Sequence, residues 1–543
     1  MKRKAVAAVL TAVMVASMFT GCGSDKGSSS AKSTSAASAA NDTVDEDGKV
    51  NGIMYQEGLP LVDEGAYTFS IFCDDSSESG EFIMLDEFKK QTNVDVDLKI
   101  YPYETATERL NLDLNSGDYA DVIGGWTLSD NAILTYGVNQ GVFIPLEDYF
   151  EKYCPNISAI LDLPGVREKM TAPDGHIYTI PYVCTDTTVG YSPYINTKWL
   201  ENVGMSMPTT TDEFEAVLKA FKEQDANGNG DASDEIPFST DPNNKHIEAM
   251  AGYFGLPMNK LGIAIQNEKV VYGGVSDTYR EFLSWFHKLY AEGLVDVELY
   301  TQDSSTWEGK GNQDLYGVSI AYGSGEFTGI PAAEERGDFD SMPVLNTDKD
   351  GIWLRDTEGF SVYRTQAVIT NKAEHPEIIC RWFDNAFALE NGIGCNRGPV
   401  GVIVNKEDDG YHAIDTTTLS EEDQEKYSWG NLWPQSLPKY LPADFEFVEE
   451  HPMYDEKKAT EEAYEANLTK EIIPSYWIDL DKIDTFSDTN TAIKDFFEQQ
   501  QAQFVCGELD IDNDADWQAY VDGMYSLGLE DWVATQGIEE IAK

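Results

Sequence analysis

The sequence predicts an α/β protein built from two lobes. From Tyr67 onward, short apolar runs alternate with stretches of helical hydrophobic spacing, the pattern of strands joined by helical crossovers. About 500 residues follow the N-terminal region, which is more than one hydrophobic core normally serves. No segment of this region is long and apolar enough to cross a membrane.

The first residues predict an export signal. Basic residues at 2–4 precede an uncharged run over 5–19, which is the layout of a secretory signal peptide. Phe19-Thr20-Gly21-Cys22 then resembles a bacterial lipobox, with Phe19 where leucine is commoner. We therefore predict a lipoprotein signal peptide over 1–21 and lipid on Cys22. The alternative is an ordinary signal whose cysteine falls there by chance.

Residues 22–50 are predicted to be the lipidated cysteine and a flexible tether. From 23 to 40 the chain is almost wholly Gly, Ser, Ala, Thr and Lys, so it cannot bury enough apolar surface to fold. Such a coil would let the folded part stand clear of the lipid.

The formal net charge of -58 excludes nucleic acid as a partner, because phosphate binding needs clustered Lys and Arg. It also weighs against strongly anionic polysaccharides, whose approach the field of the protein would oppose. The alternative explanation of the charge is solubility alone. Beyond Cys22, the scattered cysteines make no Cys-x-x-Cys pair, so we expect buried thiols, although an even number in an exported protein permits disulfides.

The first predicted elements alternate between strand and helix. A strand over 68–73 precedes a helix over 81–91, and strict alternation over 94–100 predicts the next strand. A helix over 104–115 then leads to a strand over 120–123. These elements predict a parallel sheet, whose ligands bind at the carboxyl ends of the strands. The turns after the first and third strands are therefore candidate ligand contacts.

The central region continues the pattern. A turn at Asp174-Gly175 precedes a strand that we expect Pro181 to close, and a second strand is predicted over 189–194. A short helix over 198–203 follows. Thr210 and Glu213 form a capping box before an amphipathic helix. Further one-faced helices are predicted at 279–286, 379–386 and 517–524, with their aromatic residues in the core.

Several motifs resemble a known family. Gly-x-Ile-Tyr-x-Ile-Pro-Tyr at 175–182, the segments 194–200 and 204–210, Asn-Lys-Ala-Glu-His-Pro-Glu at 371–377 and the ending over 504–529 look like extracellular solute-binding lipoproteins of the maltodextrin-binding superfamily. The large oligosaccharide-binding lipoproteins of Gram-positive bacteria are the most similar group. The likeness runs from about Tyr67 to Leu529 in the expected order, and it is weaker over 396–442.

This resemblance implies a two-lobed periplasmic-binding-protein-like fold (type 2), with a hinge and a ligand cleft between the lobes. It implies lobe 1 over 66–182 and 360–405, and lobe 2 over 188–350 and 410–543. It also implies a non-enzymatic protein, lipid-anchored at the outer face of the cytoplasmic membrane. Such a protein passes a small oligosaccharide to the transmembrane permease subunits of an ABC importer.

The segment 225–236 predicts a structural calcium site. Oxygen-bearing side chains stand at alternate positions with Gly230 at the sharp turn, as a hard cation needs. The predicted ligands are Asp225, Asn227, Asn229, Asp231 and Glu235. Ile236 stands where an EF-hand has its bidentate Glu, so either Asp234 or Glu235 could complete the shell. The alternative is a solvated Asn/Gly turn.

A sugar cleft needs aromatic rings for the C–H faces of the ligand and polar groups for its hydroxyls. Trp126 follows a predicted strand end and two glycines, although tryptophan is also commonly buried in a core. By resemblance, further candidates are Asp75, Tyr322 and Glu326. Asp186 and Trp353 are candidates because they lie near predicted crossings between the lobes. Asp75 and Asp186 could instead be ordinary loop acids. Glu326 departs from the aromatic pattern of relatives at its position.

Two other functions compete with this prediction. A surface glycan-degrading enzyme would need two carboxylates at a fixed separation, which one sequence cannot show. No Gly-x-Ser-x-Gly, phosphate-loop or His-Glu-x-x-His motif is present. The same fold could also bind a peptide or another solute.

Overall fold

The computed structural model describes residues 42–75, 81–185, 187–241, 246–329, 337–414, 416–442, 445, 448 and 452–542. The predicted signal peptide, Cys22, residues 23–41 of the predicted tether and Asp186 lie outside these residues. The tether predicted over 22–50 is corrected at its end, because Lys49–Val50 forms a strand and Val50 is buried in the core of the first lobe.

The strands of the described residues form two principal sheets, one smaller sheet and two hairpins. In chain order they are β1 Lys49–Val50, β2 Met54–Tyr55, β3 Tyr67–Asp74, β4 Val94–Tyr101, β5 Val122–Gly124, β6 Thr179–Thr185, β7 Ser192–Asn196, β8 Ile236–Thr240, β9 Ile263–Gln266, β10 Lys269–Tyr272, β11 Tyr316–Ala321, β12 Phe339–Ser341, β13 Phe360–Ile369, β14 Val404–Glu407, β15 Gly410–Ala413 and β16 Glu540–Ile541.

Helices connect most of these strands. In chain order they are α1 Ile83–Thr92, α2 Tyr103–Ser116, α3 Asp130–Ala132, α4 Glu147–Tyr153, α5 Pro155–Leu161, α6 Val166–Met170, α7 Thr197–Val203, α8 Thr211–Glu223, α9 Asp277–Ala291, α10 Ser304–Asn312, α11 Gly325–Thr328, α12 Pro376–Ala386, α13 Leu389–Arg397, α14 Glu421–Lys426, α15 Pro452–Tyr464, α16 Ile483–Cys506, α17 Asp514–Ser526 and α18 Leu529–Thr535. A π-helical turn spans Ile133–Asn139, and short 3-10 turns span Ile247–Phe254, Thr416–Thr418, Trp429–Asn431, Glu465–Asn467 and Leu480–Lys482.

The first sheet has the order β4-β3-β5-β13-β6. The strands β4, β3 and β5 are mutually parallel, whereas β13 runs antiparallel to both β5 and β6. Successive side chains of a strand point to opposite faces. Accordingly Ile71 packs into the core on the α12 side, while its neighbour Phe72 packs into a second core with α2. This sheet is the framework of the first lobe.

The second sheet has the order β12-β7-β11-β8, with β11 parallel to β8 and antiparallel to β7. The largest hydrophobic core of the described residues packs α8, α9 and α16 together with this sheet. Helix α8 begins where the capping box predicts, because the Thr210 hydroxyl accepts a hydrogen bond from the Glu213 backbone N–H (3.2 Å). The second sheet and its helices form the second lobe.

The chain passes from the first sheet to the second at 187–190, between β6 and β7, and returns at 356–359, before β13. These two crossing segments are bonded to each other. The Asp356 backbone N–H donates to the Thr188 carbonyl (3.0 Å), and the Gly190 N–H donates to the Asp356 carboxylate (2.7 Å). A Cβ atom at Gly190 would lie 2.7 Å from that carboxylate, so this position favours glycine.

The C-terminal part of the chain does not stay in one lobe. The sequence predicts lobe 2 for all of 410–543, but Trp433 and Leu437 are buried in the core of the first lobe. Ile483, at the start of α16, packs on the α2 side of the first sheet, whereas Phe497 of the same helix packs in the second lobe. The prediction, which follows from a resemblance that is weaker over 396–442, is corrected here, because the chain passes between the lobes more than once after residue 410. The remaining lobe boundaries stay a prediction.

Pro181 does not close its strand as the sequence predicts. Strand β6 continues to Thr185, and its register with β13 shifts between the pairs Tyr182–Tyr363 and Ile180–Ala367. A proline lacks the backbone N–H that a ladder needs, so it is accommodated at an irregularity of an edge strand.

None of the six cysteines in the described residues forms a disulfide, and Cys73, Cys154, Cys380 and Cys395 are buried. No helix of the described residues combines the length and apolar character that a membrane span requires.

We expect the first core to depend strongly on Trp382, which is fully buried between Phe69, Phe88 and Trp433. Trp382→Ala should lower the free energy of unfolding by about 3–5 kcal/mol through lost burial and a residual cavity. Urea denaturation followed by circular dichroism measures the change. Trp429→Ala, at a side chain that is 50% exposed, is the matched control and should cost far less. Equal losses in the two variants would contradict this description of the core.

Candidate ligand-binding site

The turn after β5 presents an exposed tryptophan. The buried Asp74 carboxylate accepts hydrogen bonds from the backbone N–H groups of Trp126 (3.0 Å) and Thr127 (2.6 Å). Gly125 adopts φ +137, and a Cβ atom there would collide with the same carboxylate. The end of β3 therefore fixes the turn that carries Trp126.

Trp126 is 45% exposed and stands on two other rings. Its centroid lies 5.3 Å from that of Tyr363 and 6.3 Å from that of Tyr182, both edge-on, and the two tyrosines stack on each other at 5.5 Å. Strands β13 and β6 carry these tyrosines. The arrangement is a rigid aromatic platform with one open ring.

Asp75, also predicted as a ligand contact, is only 3% exposed, and its carboxylate accepts from the Gln435 backbone N–H (2.8 Å). The Gln435 side-chain oxygen accepts in turn from the Lys439 ammonium (2.5 Å). Lys439 lies 5.5 Å from the ring centroid of Trp429, which is 50% exposed. Burial lowers the pKa of Lys439 to about 8. Asp75 therefore orders the wall around Trp429, with little surface for a ligand of its own.

The second lobe brings Tyr322 and Glu326 together after β11. The Glu326 carboxylate accepts from the Tyr322 backbone N–H (2.9 Å), and the Tyr322 side chain is 36% exposed. Glu326 keeps accessible surface although many protein atoms surround it, as on the wall of a cleft. Burial raises the pKa of its carboxyl group to about 7. Lys457 covers part of the Tyr322 ring, with its Nζ 3.8 Å from the centroid.

Two further rings lie beside Tyr322. Tyr191 contacts it edge-on at 6.1 Å and stacks on His246 at 4.0 Å. His246 has φ +43, an uncommon backbone conformation for a side chain of this size. Burial, assisted by Lys260, lowers the pKa of His246 to about 4, so this histidine is neutral near pH 7.

A cavity of about 860 Å³ adjoins the Trp126 turn. It is lined from the first lobe by α2 and residues 127–136, and from the second lobe by 259–270 and 535–538. Thr127 is part of its lining, whereas Tyr322 and Glu326 lie outside it. The buried Arg364, which donates to the Asp130 carboxylate, lies behind this wall. The volume is within the range of small-molecule sites.

Trp353 is corrected from a ligand contact to a core residue. It is 1% exposed and packs against Tyr253 (5.8 Å) and Tyr464 (5.5 Å). Its position beside a crossing segment made it a candidate, but its side chain turns into the second lobe. Asp186 lies outside the described residues, and its predicted role stays a prediction.

Sequence reasoning missed several residues of these walls: Tyr182 and Tyr363 beneath Trp126, Tyr191 and His246 near Tyr322, and Lys457 and Lys439 behind the exposed rings. The strand-end position of Asp74 placed it at the candidate site, but not as the anchor of the turn. Lys457 gave no local signal, because Tyr322 and Gly190 lie more than a hundred residues away along the chain. Lys439 lies close to Gln435 and Trp429 in the sequence, but no spacing pattern marks the contact.

The 225–236 loop folds around its own carboxylates. The Asp225 Oδ2 accepts from the Gly230 N–H (3.0 Å), and the Glu235 Oε1 accepts from the Ala226 N–H (2.9 Å). Among the described residues, the other oxygens of these two side chains, Asp225 Oδ1 and Glu235 Oε2, are buried without a hydrogen-bond partner. Burial raises the pKa of Glu235. Two buried carboxylate oxygens without donors fit a cation.

The other predicted calcium ligands have internal partners. The Asp234 carboxylate accepts from the side-chain amides of Asn227 (3.3 Å) and Asn229 (2.7 Å). The Asn229 oxygen accepts from the Asp231 N–H (2.7 Å), and the Asp231 carboxylate accepts from Ser233. Most side-chain oxygens of the loop therefore accept hydrogen bonds that stabilise its turns. Asp225 and Glu235 each keep one oxygen that accepts none among the described residues.

Residues 76–392 match the family model described as bacterial extracellular solute-binding protein.

Curated relatives extend this match. The chain is 31% identical over 379 residues to the fructooligosaccharide ABC transporter substrate-binding protein FusA of Streptococcus pneumoniae, covering 67% of this chain and 68% of that one. It is 28% identical over 280 residues to lipoprotein LipO of Bacillus subtilis, covering 50% and 52%. A solved structure of an EF-hand mutant of S. pneumoniae FusA in complex with fructo-nystose superposes with a TM-score of 0.74 at 27% identity, covering 86% of this chain and 98% of that one.

Proposed function

The chain belongs to the bacterial extracellular solute-binding proteins, and on that premise we propose that it captures a neutral oligosaccharide between its lobes for an ABC importer. The observation that most supports this proposal is an exposed aromatic ring in each lobe. Trp126 in the first lobe packs on Tyr363, and Tyr322 in the second lobe packs on the Lys457 ammonium. The C–H faces of a sugar pack on such rings.

The polar groups of the two walls support an uncharged ligand. Asp75 and Lys439 are committed to Gln435, and His246 is neutral near pH 7. A relative named for fructooligosaccharides and a superposable FusA complex with fructo-nystose make fructooligosaccharides the first ligands to test. Delivery to the transmembrane permease subunits rests on the transporter role in the name of that relative.

Ligand capture requires contact with both lobes. A ligand shifts an open-to-closed equilibrium only by its differential affinity for the two states. Trp126 precedes the crossing segment 187–190 in the sequence and belongs to the first lobe, whereas Tyr322 follows it and belongs to the second. A ligand that touches both rings would therefore favour closure. Binding and release without bond cleavage is the chemistry that this arrangement supports.

The predicted calcium ion is proposed as a structural element of the second lobe. Asp225 and Glu235 would supply the charged ligands, because each has a buried oxygen without a partner among the described residues. The loop begins directly after helix α8, so a bound ion would hold the end of that helix against β8. The EF-hand named for the FusA mutant supports this proposal.

Anchoring to the membrane is proposed from the sequence of the N-terminal region. Cys22 follows a signal-like segment, and one relative is named a lipoprotein. The mature protein would then act at the outer face of the cytoplasmic membrane, tethered by the residues between Cys22 and the folded part.

We expect the purified mature protein to bind a neutral oligosaccharide of a few units. Trp126→Ala should weaken binding by on the order of 1–3 kcal/mol through lost stacking, or about 5- to 150-fold. Titration calorimetry against neutral glycans, acidic glycans, peptides and amino acids tests this, with product analysis after long incubation. Tyr525→Ala, at a ring that is 42% exposed on α17, is the control and should leave affinity unchanged. Glycan turnover would favour an enzyme, and preferential peptide binding would overturn the sugar assignment.

For the calcium site, we expect exhaustive chelation to lower the melting temperature of the wild-type protein. An ion present at a hundredfold its dissociation constant adds about 2.7 kcal/mol of stability. Glu235→Gln should abolish the response to calcium, whereas Asp234→Asn should retain it, since Glu235 has a buried oxygen without a hydrogen-bond partner and the Asp234 carboxylate accepts from Asn227 and Asn229. Differential scanning calorimetry measures the melting temperature of each protein, and elemental analysis measures its calcium content. Retention of calcium by Glu235→Gln and loss by Asp234→Asn would reverse the assignment.

For the anchor, Cys22→Ala should release the protein into the medium of expressing cells, because the acceptor of the lipid is lost. Fractionation and immunoblotting measure the distribution. Substituted protein that stays in the membrane fraction would count against the lipobox, whether or not its signal is cleaved.

A further inference from the structure

Lys457 lies where a candidate ligand contact meets the connection between the lobes. It extends from α15, is 7% exposed, and places its Nζ 3.8 Å from the centroid of the Tyr322 ring. The same ammonium donates to the carbonyl oxygen of Gly190 (2.8 Å) in the first crossing segment. One side chain therefore touches both the ring and the hinge region.

The contacts continue into the second crossing segment. The Gly190 N–H donates to the Asp356 carboxylate (2.7 Å), and the Asp356 N–H donates to the Thr188 carbonyl (3.0 Å). An unbroken series of contacts thus runs from Tyr322 through Lys457 and Gly190 to Asp356. Displacement of the ring therefore has a physical route to the crossing segments 187–190 and 356–359.

Helix α15 is independently attached to the same place. The Glu461 carboxylate accepts from the backbone N–H (2.5 Å) and the hydroxyl group (3.0 Å) of Thr188. This attachment keeps α15 on the crossing segment when the Lys457 ammonium is removed. Substitution at Lys457 should therefore disconnect the ring without releasing the helix.

We propose that Lys457 is a positioning residue that couples the Tyr322 ring to the two crossing segments, so that ligand contact at the ring is transmitted to the hinge. Its role in transport rests on the proposed function. Its role in holding the ring and the hinge together is a property of the ligand-free protein, and the two are tested separately.

The pH response of this coupling follows from the surroundings of the ammonium. Burial lowers the pKa of Lys457 to about 8, against the opposing effect of nearby carboxylates. These are Glu326 after β11, Asp356 in the crossing segment, and Glu456 and Glu461 on α15 itself. Below this pKa the Lys457 cation contacts the Tyr322 ring and donates to the Gly190 carbonyl oxygen. Above it the neutral amine loses the cation–π attraction, whereas an arginine would stay charged.

The test is hydrogen–deuterium exchange of the free mature protein, following peptides that contain 187–190 and 318–328. At pH 7, Lys457→Met should raise exchange in both peptides roughly fivefold, as expected for the loss of a cation–π contact of about 1 kcal/mol. Lys458→Met, an exposed neighbour on α15, should leave both peptides unchanged. The wild-type protein should show the same paired loss of protection at pH 9.5, after correction for intrinsic exchange, and Lys457→Arg should retain protection there.

Equal protection of wild-type and Lys457→Met protein, or a loss at pH 9.5 that Lys457→Arg shares, would overturn the coupling. If Lys457→Met does not fold, the coupling is tested by comparing the exchange of the wild-type protein with that of Lys457→Arg at pH 7 and pH 9.5. Small-angle scattering with a bound oligosaccharide then measures closure, which should be weaker in Lys457→Met. Absence of any sugar binding by the wild type would refute the proposed function, while the exchange data would still decide the coupling.

Discussion

The connection between the lobes depends on the pairing of the crossing segments 187–190 and 356–359. Backbone groups that leave a sheet lose their ladder partners and must find others. Asp356 supplies them, because its N–H donates to Thr188 and its carboxylate accepts from Gly190. This local pairing lets two sheets with separate cores remain connected without merging, and it places the ends of β6, β7 and β13 around one region.

Both walls near that region use the same physical device. An exposed ring stands beside a lysine that is almost fully buried, Trp429 beside Lys439 in the first lobe and Tyr322 beside Lys457 in the second. Burial lowers the pKa of each lysine to about 8, so each ammonium persists near neutral pH because an acceptor and a ring offset its desolvation. A ring supported in this way before the proposed ligand binds would lower the entropy cost of binding.

The sequence predicted what local periodicity controls. The alternation at 94–100 and the helical spacing of Phe82, Leu85 and Phe88 gave the first sheet and its helix almost to the residue. Periodicity shows that a face is buried but not against what. The family resemblance, which is weaker over 396–442, placed the segment around Trp433 in the wrong lobe. Trp353 was assigned to the cleft from its position near a predicted crossing, although it packs in the core of the second lobe. The contact of Lys457 with Tyr322 could not be predicted, since more than a hundred residues separate them in the sequence.

If the proposed ligand contacts Glu326, the protonation chemistry of this carboxyl group would favour a hydroxyl-bearing ligand over an ionic one. Burial raises its pKa to about 7, so both the carboxylate and the carboxylic acid are populated near neutral pH. A hydroxyl group can donate to the first form and accept from the second, and it therefore pairs with either. An ammonium group would pair well only with the carboxylate, and a ligand carboxylate would be repelled by it. A sugar hydroxyl at this wall would thus pair with Glu326 without fixing its charge, whereas a charged ligand would have to shift the protonation equilibrium of Glu326, at a cost in affinity.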